Sequence, residues 1–210
     1  MQDFADLLDY IGILPFFPNP IGGFCAEEAV DPALLWGPQE GPWEWKGPLI
    51  RSGKCLYGKL FGSRAAYVAP WMYVHLANYR RDGYDWEGFC DDELAPYRDR
   101  LLMDYVNKRG PVLSLDAKKN CGFTKGFDTV LTRLQMQTFL TNYDFTYAVD
   151  QHGKPYGWGR AVLCAPEKIL GEERMNEITC SPTDSLAFMV DHLHNCMGDV
   201  DKELIAKLLK

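Results

Sequence analysis

The sequence lacks closely paired cysteines: its seven cysteines are scattered over 210 residues without a Cys-x-x-Cys pair. A structural zinc ion takes ligands in close pairs, so this spacing argues against a zinc finger. An odd, scattered set is typical of reduced thiols and not of a disulfide framework. Near the C-terminus, His192 and Cys196 share a helix face, but two ligands do not hold zinc tightly. We therefore predict no metal site and no cofactor.

The chain also lacks an apolar run close to the roughly 20 residues that span a bilayer. A basic N-terminus of the kind found in secretory signals is missing too, since the first residues include Asp3, Asp6 and Asp9. With 47% hydrophobic and 24% charged residues, the composition is typical of a soluble globular protein. We therefore expect a cytoplasmic protein that does not bind membranes.

Positive charge is scarce, because 22 Lys and Arg face 29 Asp and Glu, for a net charge of -7. This balance argues against a nucleic-acid partner, since phosphate binding depends on Lys and Arg. The deficit is uneven, however. Residues 111–165 hold six basic and four acidic side chains, whereas residues 1–110 hold 11 and 16, and residues 166–210 hold five and nine. Only the middle segment is basic.

The N-terminal part combines a short amphipathic helix at residues 2–12 with a segment dense in proline and tryptophan. Seven of the 13 prolines lie between Pro15 and Pro48, and three tryptophans accompany them. So many prolines predict no long regular element there, and so many large rings predict packing over a core, with an aromatic-lined cleft as the alternative. Residues 54–70 predict a hairpin that turns at Gly62-Ser63.

A helix is predicted after this hairpin, and it ends near Gly83 with Arg80 and Arg81 in its last turn. Two arginines at a helix C-terminus interact favourably with the negative end of its dipole. Because Tyr79, Tyr84 and Trp86 surround them in the sequence, contact with a phosphate or a base is the alternative role.

From Leu94 onward the apolar pattern is regular. It predicts a helix that ends at Gly110, a short extended piece, a second helix that ends at Gly122, and a third helix. Two strands separated by a turn at 150–154 follow. This is the order of a winged helix, in which the second and third helices form a helix-turn-helix and the hairpin forms the wing.

We therefore predict an α+β, mainly helical fold with a winged helix-turn-helix domain at residues 94–165. An aromatic N-terminal region at 1–93 and C-terminal helices at 166–210 are expected to pack with it as one compact unit.

In a winged helix the third helix enters the major groove, and wing residues reach flanking phosphates. The apolar stripe Phe127, Val130, Leu131 and Leu134 must face the core, so the side chains between them point outward. The candidate DNA-binding residues are Lys125, Thr129, Thr132, Arg133, Lys154, Arg160, Arg80 and Arg81. Winged helices also serve as protein-binding modules, and the small number of basic residues keeps this alternative open.

Gln135 and Gln137 stand where the third helix gives way to the first strand of the wing. If the backbone is already extended there, residues i and i+2 point to the same side and the two carboxamides converge. A carboxamide is not a general base at neutral pH, but it can hold a water molecule or read a base edge. The alternative is helix capping or a hydrogen bond into the wing.

The string RLQMQTFL resembles the Gln-apolar-Gln or Gln-apolar-Asp motif of the bacterial AlkZ/YcaQ-type DNA glycosylases. The stretches ANYRRDGYDW, KGFDTVLTRLQMQTF and YGWGRA are similar to a group of uncharacterised bacterial proteins related to that family, and this similarity covers most of the chain. The resemblance implies tandem winged helices. It also implies that Gln135 and Gln137 are catalytic and position the water that attacks the anomeric carbon of a damaged nucleotide.

The resemblance thus implies a DNA N-glycosylase that acts on alkylated or cross-linked bases in double-stranded DNA. Two other hypotheses stay open. A transcription regulator would bind DNA through its third helix as a homodimer. A non-catalytic protein-interaction module would bury that helix against the N-terminal region.

Overall fold

The structure is a computed structural model that describes residues 1–35, 41–153 and 155–210. Within these ranges it contains thirteen helices and two small antiparallel sheets of three strands each. This confirms the prediction of an α+β, mainly helical fold. No helix in the described ranges is long and apolar enough to cross a membrane.

The N-terminal part is built around a sheet in the strand order β1-β3-β2. Its elements are α1 (Gln2–Ile11), β1 (Ile13–Pro15), α2 (Ala26–Ala29), α3 (Pro32–Leu35), α4 (Pro42–Arg51), β2 (Leu56–Phe61), β3 (Arg64–Val68), α5 (Pro70–Arg80) and α6 (Trp86–Asp91). The predicted hairpin is confirmed as β2 and β3. Its turn places both Gly62 and Ser63 at positive φ, 55° and 61°, which is the two-residue geometry that matches strand twist. The sequence did not reveal β1, the third strand.

The proline-rich stretch contains the ten-residue helix α4, so the prediction that no long regular element forms there was wrong. Pro42 occupies the first turn, where its missing N–H has no intrahelical partner to lose, whereas Pro48 lies inside the helix. Trp43 and Trp45 are partly buried against the core. Trp36 lies outside the described residues.

The middle part has the predicted order of elements: α7 (Tyr97–Arg109), β4 (Val112–Leu113), α8 (Ser114–Asn120), α9 (Phe127–Met136), β5 (Thr141–Val149) and β6 (Pro155–Cys164). Its sheet has the strand order β4-β6-β5. The predicted apolar stripe of α9 is buried. The first helix begins at Tyr97 and not at Leu94, because it starts after Pro96, and Leu94 is exposed.

The C-terminal part is helical, with α10 (Glu167–Leu170), α11 (Glu172–Met175), α12 (Pro182–Met197) and α13 (Lys202–Leu209). Met189 and Leu193 of α12, and Ile205 and Leu209 of α13, are buried in the same core as the N-terminal residues. A second core lies within residues 102–163. The buried apolar side chains of the described residues thus form two cores. The division of the chain into three parts at residues 93 and 165 stays a prediction.

Candidate nucleic-acid interface

The outer face of α9 is open at its N-terminal end. Thr129 and the preceding Lys125 are exposed. The helix begins after Gly126, whose φ is 72°, and no side chain caps its first N–H groups. Unpaired N–H groups and the helix dipole make such an end attractive to anions.

Arg98 of α7 lies beside this end of α9, a placement that the sequence analysis did not foresee. It donates a hydrogen bond to the carbonyl oxygen of Lys125, and its guanidinium carbon lies 4.7 Å from the ring centroid of Phe123. Gly126 has a φ of 72°, a backbone conformation that favours glycine. Arg98 and Lys125 therefore form a small exposed basic cluster.

The C-terminal half of α9 is turned toward β2. Nζ of Lys59 donates to Oγ1 of Thr132 at 3.3 Å, and the backbone N–H of Ser63 contacts Sδ of Met136 at 3.4 Å. Thr132 is only partly exposed as a result. Of the predicted outward residues on this helix, Thr132 is therefore less accessible than Thr129.

Arg133 is held by an ion pair within the middle part. Its Nε donates to Oδ2 of Asp99 at 2.7 Å, and its Nη2 donates to Oδ1 of the same carboxylate. Asp99 is 1% exposed, and its hydrogen bond raises the pKa of Arg133. The guanidinium thus binds both oxygens of Asp99, and its positive charge neutralises that buried carboxylate.

On the hairpin, Arg160 is exposed on β6, where its carbonyl oxygen accepts a hydrogen bond from Thr146 at 3.5 Å. Lys154, the other predicted wing residue, lies outside the described residues. The guanidinium of Arg160 is thus available at the surface.

Arg80 joins three separate elements through backbone carbonyl oxygens. Its Nε and Nη2 donate to the carbonyl oxygen of Leu209 at 3.1 and 3.0 Å, and its Nη1 donates to those of Leu60 and Met136 at 2.5 and 2.9 Å. Burial lowers its pKa to about 10, so it stays charged at neutral pH. Met136 and Leu209 end α9 and α13, so the arginine meets the negative ends of two other helices.

Arg81 is buried, with 7% of its surface exposed. Its Nη1 pairs with Glu167 at 2.7 Å, its Nη2 donates to the carbonyl oxygen of Thr138 at 2.7 Å, and the guanidinium lies over Phe139. Its Nε has no hydrogen-bond partner among the described residues. Among the described residues, no contact links Arg80 or Arg81 to Lys125 or Arg98.

Gln135 is buried, and both ends of its carboxamide are used within the protein. Its Oε1 accepts from the backbone N–H of Lys59 at 2.9 Å, and its Nε2 donates to Oδ1 of Asn142 at 3.0 Å. Lys59 lies on β2, the edge strand of its sheet, so this side chain covers an otherwise open backbone group. A Cβ atom at Gly58 would lie 3.2 Å from the Cδ of Gln135, which explains the glycine.

Gln137 does not share the environment of Gln135. The helix continues to Met136, and Gln137 has φ -78° and ψ -1°, so the backbone is helical and not extended there. At roughly 100° per residue, the two side chains point in widely different directions. The condition under which the two carboxamides would converge, an extended backbone, is therefore not met. Oε1 of Gln137 is buried and has no partner among the described residues.

A cavity of about 770 Å³ lies where the N-terminal, middle and C-terminal parts meet. Its lining includes Arg81, Trp86, Phe139 and Glu167. Its volume falls in the range of small-molecule pockets. Neither Gln135 nor Gln137 is among the described residues that line it. The cavity therefore brings arginine and aromatic side chains together without the two glutamines.

Nε2 of His192 lies 3.4 Å from Sγ of Cys196 and 3.1 Å from the carbonyl oxygen of Tyr10. In the part of the chain that the structure describes, no group of three or more His, Cys, Asp or Glu side chains could hold a metal ion.

A protein-family model described as AlkZ related matches residues 1–210. The chain belongs to the AlkZ-related family. This confirms the resemblance to the AlkZ-related proteins. No curated protein and no solved structure shows a match to the chain.

Proposed function

We propose that this AlkZ-related protein is a winged-helix DNA-binding protein akin to the DNA glycosylases that act on alkylated or cross-linked bases. The order of α7, β4, α8, α9, β5 and β6, with strand order β4-β6-β5, supports a winged helix. In that architecture α8 and α9 are the helix-turn-helix, and the β5–β6 hairpin is the wing.

The observation that carries DNA binding is the charge of this segment. Residues 94–165 hold ten Lys and Arg against six Asp and Glu, whereas the remaining residues hold 12 against 23. One of the six acidic residues, Asp99, is buried and paired with Arg133. Phosphate contacts supply most of the affinity of DNA-binding proteins, and only this part of the chain has the sign they require.

We assign the DNA contact to the N-terminal half of α9 and to the wing. Arg98, Lys125 and the free N–H groups of the helix would bind phosphate, Thr129 would face the groove, and Arg160 would reach a flanking phosphate. Lys154 belongs to the same wing by its place in the sequence.

Three candidates, Arg80, Arg81 and Arg133, are better explained as structural residues. Their donors already serve carbonyl oxygens or carboxylates within the protein. A phosphate would have to displace these partners, and Asp99 would then be left buried without its counter-charge. We propose that they hold α5, α9 and their neighbours in place instead.

Base release, which the family implies, would depend on Gln137 more than on Gln135. Both polar atoms of the Gln135 carboxamide are already used within the protein: Oε1 accepts from Lys59 and Nε2 donates to Asn142. A buried oxygen without a protein partner, such as Oε1 of Gln137, is the kind of group that holds an ordered water. We propose that Gln137 holds the attacking water and that Gln135 positions the end of α9.

The test is binding to undamaged and alkylated duplex DNA at low and moderate salt. We expect salt-sensitive binding that Lys125→Glu/Arg160→Glu weakens strongly. The matched variant Lys207→Glu/Lys210→Glu, which changes exposed C-terminal lysines by the same charge, should bind as the wild type does. Base release from the alkylated duplex should be lost in Gln137→Ala while binding is kept.

Other results would favour the alternatives. Tight binding that ignores the lesion, without base release, would favour a transcription regulator. The absence of binding at low salt would overturn DNA binding and leave a protein-interaction module. One observation favours that module: the C-terminal half of α9 contacts β2 of the N-terminal part through Thr132 and Gln135.

A further inference from the structure

A partly exposed aromatic surface lies on helices α1, α5 and α12, which are outside the basic segment of the chain. Trp71 and His75 of α5 and Phe188 and His192 of α12 form a row of touching rings, with centroids 4.2 Å apart for His75 and Phe188 and 4.9 Å for Trp71 and His192. The end of helix α1 lies beside these rings, because the backbone carbonyl oxygen of Asp9 accepts from Nε1 of Trp71 at 3.0 Å and that of Tyr10 lies 3.1 Å from Nε2 of His192. We call this surface the aromatic face; its members are Leu7, Tyr10, Trp71, His75, Phe188 and His192.

Half of the aromatic face is exposed to solvent, while Trp71, His75 and His192 are partly buried. Tyr10 is 64% exposed, Phe188 is 42% exposed and Leu7 is 40% exposed. Single exposed apolar residues are ordinary, but a contiguous set of large ones on one surface is typical of an interaction site.

The charge around the aromatic face is almost entirely negative. Three exposed aspartates lie on α1: Asp3, Asp6 and Asp9. The two on α12 already have partners, because Asp184 accepts from Ser181 at the helix start and Asp191 pairs with Lys202 of α13 at 2.7 Å. Neither helix contains Lys or Arg, and the single arginine of α5, Arg80, binds carbonyl oxygens of other elements. A nucleic acid or an anionic membrane would be repelled here, whereas a cationic partner would be attracted.

We propose that the aromatic face binds a basic amphipathic helix of another protein. The partner's apolar side chains would cover Tyr10, Phe188 and Trp71, and its Lys and Arg residues would face the aspartates of α1. A surface formed by several helices receives another helix through apolar anchors spaced along one side. This inference does not depend on DNA binding, because it concerns a different surface with the opposite charge.

The test uses two labelled synthetic helical peptides with the same leucine positions, one carrying lysines and the other glutamates, titrated with the full chain by fluorescence anisotropy. We expect binding of the lysine peptide only, and weaker binding at higher salt. Tyr10→Ser/Phe188→Ser should reduce the affinity by about tenfold or more, as expected for anchor residues. Leu94→Ser/Tyr97→Ser, which alters two large and slightly more exposed residues of the middle part, should have no effect.

A second pair of variants separates the charge from the rings without altering the apolar surface. Asp3→Asn/Asp6→Asn/Asp9→Asn should weaken binding of the lysine peptide, whereas Asp104→Asn/Asp116→Asn/Asp128→Asn changes the same number of exposed charges on the middle part and should not. Equal loss in both triple variants, or equal binding of both peptides, would overturn the proposal. So would self-association through this face, seen as a dimer in light scattering that Tyr10→Ser/Phe188→Ser converts to a monomer.

Discussion

Replacing Gln135 by alanine tests whether the first glutamine of the Gln135-Met136-Gln137 motif has a structural role. The side chain is 1% exposed and bridges the backbone N–H of Lys59 to Oδ1 of Asn142. Gln135→Ala removes two hydrogen bonds, leaves the buried side chain of Asn142 and the backbone N–H of Lys59 without this partner, and opens a cavity between β2 and β5. At about 1 kcal/mol for each lost bond and a further contribution from the cavity, the free energy of unfolding should fall by roughly 3 kcal/mol.

Urea unfolding followed by tryptophan fluorescence measures this difference. Gln135→Met, which fills the volume but cannot bridge the two groups, should recover part of the loss. Gln137→Ala is the control, since this partly exposed side chain has no described partner for its Oε1, and it should cost less than about 1 kcal/mol. If Gln135→Ala unfolds at the same urea concentration as the wild type, the structural assignment is refuted. The DNA assays therefore use the single Gln137 variant, because a double variant would confuse stability with catalysis.

Three further substitutions test the packing around the motif and the buried charges. Gly58→Ala should lower the free energy of unfolding by about 1–2 kcal/mol, because the new methyl would press on the fixed carboxamide of Gln135; calorimetry measures this, and a neutral result would contradict it. Arg133→Ala should cost about 3 kcal/mol at neutral pH by leaving Asp99 buried without its partner, and a loss below about 1 kcal/mol would show that water replaces the arginine. Burial lowers the pKa of Lys46 from 10.5 to about 8, so between these pH values only the unfolded state keeps the proton and stability rises with pH. The stability of Lys46→Met relative to the wild type should therefore fall by roughly 3 kcal/mol from pH 8 to pH 10.5 in urea titrations, and a constant difference would refute the assigned pKa.

The local pattern of the middle part was readable from the sequence because it depends on neighbouring residues. The apolar spacing of α9 and the change of period after it predicted a helix followed by a hairpin, and the described structure has both. The turn at Gly62-Ser63 was readable for the same reason, since a two-residue hairpin turn requires residues that tolerate positive φ. Helix α4 was missed because Pro42 starts the helix, where proline is tolerated, and because the helix also contains Pro48, against the usual preference.

The surroundings of the candidate site residues were not readable, because they come from distant parts of the chain. Arg80 donates to the carbonyl oxygen of Leu209, 129 positions away, and Gln135 accepts from the backbone N–H of Lys59, 76 positions away. No local pattern encodes such contacts. Consequently the sequence identified polar residues at the end of α9, but it could not distinguish a carboxamide committed to packing from one that is free to hold water.

The most direct test of DNA binding by α9 is the salt dependence of affinity for duplex DNA, compared between the wild type and Lys125→Ala. The logarithm of affinity falls with the logarithm of salt concentration in proportion to the number of phosphates contacted. Removing Lys125 should reduce this slope by about 1, while Lys207→Ala should leave it unchanged. A wild type that does not bind at low salt, or an equal slope in all three proteins, would contradict the proposed interface.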